Sequence, residues 1–322
     1  MRRREFIAGV GSVVAAWPVV VRAQYSGGKL PRVGIIDNVP IWEYFRKRLS
    51  EQGYIDGRSI AYEYRVANGD PERLKRAANE LAKLPVDVIA TFGTPAARAA
   101  QAATTTIPIV AISVGDPIRA GLVSSLARPS GNITGNTILG PDLSPKRLEI
   151  VKEIIPSVST VALLWNPDNA SNAAIYDELR GAVTALGIKL VSLEARSSKD
   201  FDAVFANTLM VHPDVMLTTN DPLHQQNIQR VIDFMLINKL PGVFQTRENV
   251  VAGGLLSYGA SFPELFRNGA NYTQKILQGT KPTDLPILQP ERFELVINLK
   301  TANALGLKIS EAFLLRADEV IE

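Results

Sequence analysis

The sequence predicts an α/β protein of two similar lobes, each a parallel sheet covered on both faces by helices. Three observations predict it. Short, near-continuous apolar runs alternate with amphipathic segments along most of the chain, the pattern of strands buried between crossover helices. The phrase "DVIATFGTP" at residues 87–95 returns without a gap as "DVMLTTNDP" at 214–222, which marks one building block used twice. Finally, 322 residues, 46% of them hydrophobic and 21% charged, supply two cores of ordinary composition.

The first block opens with "RVGII" (32–36) as a buried strand. Trp42 to Gly53 reads as a helix and "SIAYEYR" (59–65) as a second strand. Asp70-Pro71 starts the next helix, with Leu74, Ala78 and Leu81 on one face; Asp suits the cap and Pro the first turn. "VDVIATF" follows as a strand, "TPAARAAQAAT" as an Ala-rich helix and "IPIVAIS" (107–113) as a further strand. The rhythm restarts at "TVALLWN" (160–166), the counterpart of "RVGIID". A helix over 172–186 ends at Gly187, as the first lobe's helix ends at Gly53. "IKLVSLEA" and the echoed strand come next, and the helix after Pro222 reaches "INKLPGVFQ", the counterpart of "TTTIPIVAI". The helix after Ser144-Pro145 lies near the crossover. "GGLLSYG" (253–259) and the helix from Pro263 to Leu277 are expected to rejoin lobe one, and "FELVINL" (293–299) with "KTANALG" lobe two. The expected division is 31–118 with about 246–280 for lobe one, and 119–245 with about 281–322 for lobe two.

The opening "MRRREFIAGVGSVVAAWPVVVRAQ" has the three-part form of an export signal, cut near Ala23. Its apolar run from Ala8 to Val21 is short and interrupted by Gly and Pro, so stable membrane insertion is not expected. Arg3-Arg4-Glu5-Phe6-Ile7 resembles a twin-arginine signal. Removing residues 1–23 takes away four arginines and one glutamate, which leaves 31 basic and 31 acidic residues. The basic balance therefore belongs to the leader and gives no reason to expect nucleic acid. With no cysteine, disulfides, thiolate metal sites and a cysteine nucleophile are excluded. The expected compartment is the periplasm.

Four strand ends share one device, a polar residue followed by Pro: Thr94-Pro95, Asp116-Pro117, Asn166-Pro167 and Asp221-Pro222. A cap with Pro at the first helical position launches a helix whose leading N–H groups point off the sheet edge. In open α/β sheets that edge is where ligands bind. Two such lobes would enclose a cleft, although each residue taken singly also reads as an ordinary cap. Gly93 and Thr94 offer amides to a carboxylate, whereas Asp116 and Asp221 call for a cation or several hydroxyls. Asn166 and Asn220 suit either an ammonium or a hydroxyl. The combination fits a zwitterion. Trp42, Phe92, Trp165, Phe244 and Tyr258 lie near the same edges, where an aromatic either stacks on ligand or packs in the core. Arg247-Glu248 follows a strand end and reads as an ion pair or a clamp on carboxylate.

Enzyme signatures fail. There is no G-x-S-x-G elbow and no Walker A, and the only G-x-G, at Gly9 and Gly11, lies in the leader. His212 and His224 are the only histidines, and no H-E-x-x-H accompanies them, so neither metal nor cofactor is expected.

The segments "GTPAARAA", "IPIVAISVGDPIRAGLVSSLARPSGNITG", "KRLEIVKEIIPSV", "DLPILQPERFELVINLKTANALGLKI" and "LLRADEVIE" carry a resemblance over essentially the whole chain after the leader. It resembles the ABC-transporter substrate-binding proteins, in the group of tryptophan- and tyrosine-type binders (TrpX-like). The resemblance implies two Rossmann-like lobes of the type I periplasmic-binding-protein kind with a hinged cleft. It also implies a small-molecule ligand delivered to an ABC permease and its ATPase, and action as a monomer. By position it puts the cleft at Gly93-Thr94, Gly115-Asp116, Asn166, Asn220-Asp221 and Tyr258. The loop beginning at Asp37 and Asn38, "NVPIWEYF", borders it and is shorter here than in many relatives. A sugar or nucleoside binder, a ligand-sensing module and an exported α/β enzyme using Asp116 or Asp221 as base remain open alternatives.

Overall fold

The computed structural model describes residues 29–37 and 39–322; the expected leader at 1–23 and Asn38 lie outside them. The first unit is built from β1 (Arg32–Ile36), α1 (Trp42–Glu51), β2 (Ala61–Arg65), α2 (Pro71–Lys83), β3 (Val88–Phe92), α3 (Gly93–Ala103), β4 (Ile109–Val114) and β5 (Ile133–Thr137). Its sheet is parallel, in the order β2-β1-β3-β4-β5. The chain then enters the second unit through α4 (Gly140–Ile154), β6 (Thr160–Trp165), α5 (Ala170–Leu186), β7 (Lys189–Glu194) and α6 (Phe201–Val211). It continues with β8 (Val215–Thr218), α7 (Pro222–Gln226), α8 (Ile228–Ile237), β9 (Gly242–Phe244), α9 (Arg247–Val251) and β10 (Leu256–Ala260). α10 (Phe262–Leu277) and a 3₁₀ turn (Pro282–Asp284) pack back on the first unit. β11 (Phe293–Asn298), α11 (Leu299–Leu305), α12 (Glu311–Leu314) and β12 (Glu319–Ile321) complete the second.

The second sheet runs β12-β11-β10-β9-β8-β6-β7. Without its last two strands it repeats the winding order of the first, with β6 to β10 standing for β1 to β5. The echoed phrases are thus the third strand of each unit, and their shared Asp has one job in both. Asp87 Oδ2 accepts the N–H of Arg32 at 2.7 Å, and Asp214 Oδ2 accepts that of Thr160 at 2.8 Å. Each carboxylate fastens the start of the third strand to the start of the first.

Sheet membership differs from the sequence expectation at two strands. β5, assigned to lobe two, pairs with β4, and β10, assigned to lobe one, pairs with β9 and antiparallel to β11. Each is the fifth strand of its unit, and a short strand's own sequence carries no mark of which sheet it joins. The chain therefore changes units after β5, between β10 and α10, and between the 3₁₀ turn and β11.

Alternation along each strand divides the side chains between two helical layers. Val33, Ile35, Val88, Ala90 and Ile112 face α1 and α10, whereas Ile36, Ile89, Ile109 and Ala111 face α2 and α3. α2 follows its sequence signals closely: Asp70 accepts the Arg73 N–H at 2.8 Å, Pro71 occupies the first turn, and Leu74, Ala78 and Leu81 are buried. In the second unit α4, α5, α11 and α12 cover one face, and α6 and α8 the other.

Candidate functional site

The two units touch where the segments after β3 and β8 meet. Thr94 Oγ1 lies 2.7 Å from Ser171 Oγ in the first turn of α5. The Gly115 N–H donates to Thr94 Oγ1 and the Asp116 N–H to Ser171 Oγ, each at 3.3 Å. Asn220 donates to Ser113 Oγ at 3.5 Å. Glycines allow this approach: a Cβ on Gly115 would stand 2.4 Å from Ser171 Cβ, one on Gly69 2.9 Å from the Leu223 nitrogen, and one on Gly93 3.3 Å from Pro222 Cγ. Thr94, Gly115 and Asp116 therefore form an interlobe seam with Ser171.

The acids expected to meet a ligand cation are already occupied. Asp221 is buried; its Oδ2 accepts the side-chain amides of Asn169 at 2.8 Å, Asn172 at 3.0 Å and Asn166 at 3.4 Å. Its Oδ1 caps α7 by accepting the Leu223 N–H at 2.9 Å. Asp116 Oδ1 accepts the N–H groups of Ile118 and Arg119, and its other oxygen stands 3.4 Å from the Arg119 guanidinium. Only one of the four strand-end devices caps a helix as read, Asp221-Pro222; Thr94 and Pro95 lie inside the first turn of α3, which begins at Gly93. Asp116-Pro117 makes only a turn, and α5 is capped by Asn169 rather than Asn166. Asn166 and Asp221 border an interlobe cavity of about 320 Å³ with Arg98, Asp168 and Gly69.

A larger interlobe cavity of about 720 Å³ lies on the other side of Pro222, which borders both. The first unit contributes Asp37, Val39, Ile41, Tyr44, Phe92 and Phe262 to its wall; Phe92 and Phe262 meet edge to face, with centroids 5.9 Å apart. The second unit contributes Pro222, Gln225, Gln226, Thr246 and Glu248. Asp37 has a left-handed backbone (φ 68°), and its Oδ1 accepts the N–H groups of Ala67 and Asn68 at 2.6 and 2.8 Å. That carboxylate therefore holds the loop leading into the cleft.

Glu248 is different. Its Oε2 is buried with no hydrogen-bond partner among the described residues. Burial pushes its pKa above the ordinary glutamate value, and Glu294 adds to the rise, while its own backbone N–H and Arg247 oppose it. Arg247 does not neutralise it by direct pairing. Its guanidinium turns outward to Glu319 on β12, with contacts of 2.5 and 2.7 Å.

Of the five aromatics singled out from the sequence, only Phe92 walls this cavity. Trp42 is buried between Phe45 and Phe266, and Phe244 is in the core. Trp165 stacks on Tyr176 at 4.6 Å, and half-buried Tyr258 packs against Phe293, its carbonyl accepting from Arg147. His224 is fully buried behind the cleft, with Nδ1 3.2 Å from the Thr219 hydroxyl, and burial lowers its pKa. Sequence reasoning passed over Phe262 and Thr246 and misjudged Glu248. The strand-end rule applied to "VFQTRE" would have placed Thr246 and Glu248 at the same edge as Gly93.

Comparison with known proteins adds three findings. A family model described as "ABC transporter substrate binding protein" matches residues 40–321. A tyrosine-binding protein from Clostridioides difficile is 28% identical over 265 residues, 82% of this chain and 76% of its own. Among solved structures, a conserved domain protein from Vibrio cholerae superposes with a TM-score of 0.84 at 30% identity. A domain from Streptococcus pneumoniae in complex with L-Trp does so with 0.83 at 24%. Each alignment covers 91% of this chain and all of the other.

Proposed function

The chain belongs to the ABC transporter substrate-binding protein family, and from that premise we propose that it binds a small amino-acid-like ligand in the 720 Å³ cavity between its lobes. It is the substrate-binding component of an ABC transporter; proteins of this family work outside the cytoplasm, and no described helix is long and apolar enough to cross a membrane. The finer reading is a monomer exported by way of residues 1–23, cut near Ala23, that carries its ligand through the periplasm without breaking a bond.

One observation carries the ligand reading: the cavity draws walls from both lobes, with Phe92, Phe262 and Tyr44 on one side and Thr246 and Glu248 on the other. An apolar chamber with few polar groups is the usual form of a small-molecule site. Its aromatic wall suits an aromatic side chain, and the kinship with a tyrosine-binding protein supports that choice. Asp37 and Phe92 from the first lobe and Thr246 and Glu248 from the second are the proposed ligand contacts, while Thr94, Gly115, Asp116 and Asn220 serve the seam.

Thermal unfolding of the purified protein against amino acids, sugars, nucleosides and small carboxylates tests this. Ligand at a hundredfold excess over its Kd adds about 2.7 kcal/mol, which raises Tm by roughly 5 °C or more for a chain of this size. A shift with aromatic amino acids is expected. A shift confined to sugars or nucleosides would replace the ligand class.

A further inference from the structure

We propose that Asn68-Gly69 is a self-modifying site at the cleft: Asn68 cyclises onto Gly69 and reopens as aspartate or isoaspartate, which loosens the loop that Asp37 holds beside the cavity. The modification is independent of the ligand reading; its effect on binding rests on the cavity being the ligand site.

The chain has two Asn-Gly pairs, Asn68-Gly69 and Asn268-Gly269. A following glycine has no side chain to shield its amide nitrogen from the asparagine, so these two pairs are the candidates. The fold treats them differently. Asn68 and Gly69 form the middle of a turn closed by the Asp70 N–H on the Ala67 carbonyl at 3.2 Å. Both have positive φ, 55° and 66°, as a type I′ turn requires. Asn68 is exposed, and neither its side-chain amide nor the Gly69 N–H has a hydrogen-bond partner among the described residues. Gly269 instead lies in the middle of α10, where its N–H belongs to the helix ladder. It is also packed tightly, since a Cβ there would stand 2.4 Å from Ile112 Cδ1.

In the reaction the Gly69 nitrogen gives its proton to hydroxide and attacks Asn68 Cγ. The new C–N bond closes a cyclic imide, the bond to the side-chain nitrogen breaks, and ammonia leaves. Water then opens the imide at either carbonyl. One product is aspartate on the original backbone, and the other is isoaspartate, with the chain routed through Cβ. The Asn68 N–H is one of the two that hold Asp37 Oδ1, at 2.8 Å, and Asp37 stands in the cavity wall. The extra backbone atom of isoaspartate displaces that donor. The new carboxylate also joins Asp70 in the same turn and approaches Asp37, and like charges repel. The turn has no room to shift towards the second lobe, because a Cβ on Gly69 would stand 2.9 Å from the Leu223 nitrogen. A displaced turn therefore opposes the closed lobes as well.

The test ages the purified protein in warm, mildly alkaline buffer, locates conversion by peptide mass spectrometry and counts isoaspartate by enzymatic methylation. Asn68 should convert about tenfold faster than Asn268 or more, because Gly269 must first be freed from its helix. Hydrogen exchange at the Ala67 amide should quicken in the converted protein. Affinity for L-tyrosine should fall by roughly tenfold, the scale of a crowded contact at closure. Asn68→Gly keeps the N–H and the positive φ but removes the reacting amide, so this variant should age without change in exchange or affinity. Conversion at Asn68 no faster than at Asn268 would overturn the site. Conversion with unchanged exchange at Ala67 would overturn the link to the Asp37 loop. If the fresh protein binds no amino acid, the ligand reading fails, while mapping and exchange still decide this inference.

Discussion

Asp221, expected to meet a ligand cation, spends both carboxylate oxygens inside its own lobe. Three asparagine amides converge on one of its oxygens and a helix N–H on the other, all within the second lobe. Asp221→Ala would leave buried donors unsatisfied and remove a cap, losses of about 1–3 and about 1 kcal/mol in comparable cases. Denaturant unfolding should therefore record a loss of about 3 kcal/mol. Ligand affinity measured well below the unfolding midpoint should change little. The opposite pattern, unchanged stability with lost affinity, would return Asp221 to the ligand site. Glu248 shows a second kind of misreading. Standing next to Arg247 it reads as half of an ion pair, and only the fold reveals that the arginine's partner is seventy-two residues away at Glu319.

Among elements, those with local causes were the legible ones. α2 announces its cap, its proline and its buried stripe, and the echo between β3 and β8 announced a repeated unit whose third strand it proved to be. Long-range causes stayed hidden. β5 and β10 swap sheets relative to expectation because strand pairing depends on partners that the strand's own residues do not name. Ser171 went unnoticed because a serine in the first turn of a helix ordinarily faces water, whereas here it bonds the opposite lobe. That bond requires Gly115 to lack a side chain, since a Cβ would sit 2.4 Å from Ser171 Cβ. Overpacking of this kind costs about 1–3 kcal/mol. Gly115→Ala should therefore weaken ligand binding about tenfold by opposing closure, although it lies outside the 720 Å³ cavity. Adding Ser171→Gly should restore most of the affinity. Calorimetry on the single and double variants checks both statements, and a double variant no better than the single would assign the defect to local misfolding.

At the scale of the molecule, the seam and the cavity make one mechanism. The chain crosses between lobes three times, and Arg147 ties two of the crossings by donating to the Tyr258 carbonyl at 2.7 Å and the Gly140 carbonyl at 3.3 Å. That guanidinium is so buried that its pKa falls to about 9. The joint is thus firm, and freedom lies in the angle about it. The lobes meet through a few contacts, among them Thr94 on Ser171, Asn220 on Ser113, Gly93 beside Pro222 and the Arg119–Glu178 ion pair, and a ligand that touches both walls adds to them on closure. A ligand with such differential contacts shifts the open–closed population towards closure. Small-angle scattering should record a fall in radius of gyration when ligand saturates the protein, from an open form above the roughly 20 Å expected of a compact chain of this length. Gly115→Ala should keep a larger radius even at saturation. Glu248→Gln should match the wild type when empty and contract only at higher ligand concentration. Equal radii with and without a bound ligand would make the seam a permanent interface, and transport would then have to read something other than the lobe angle.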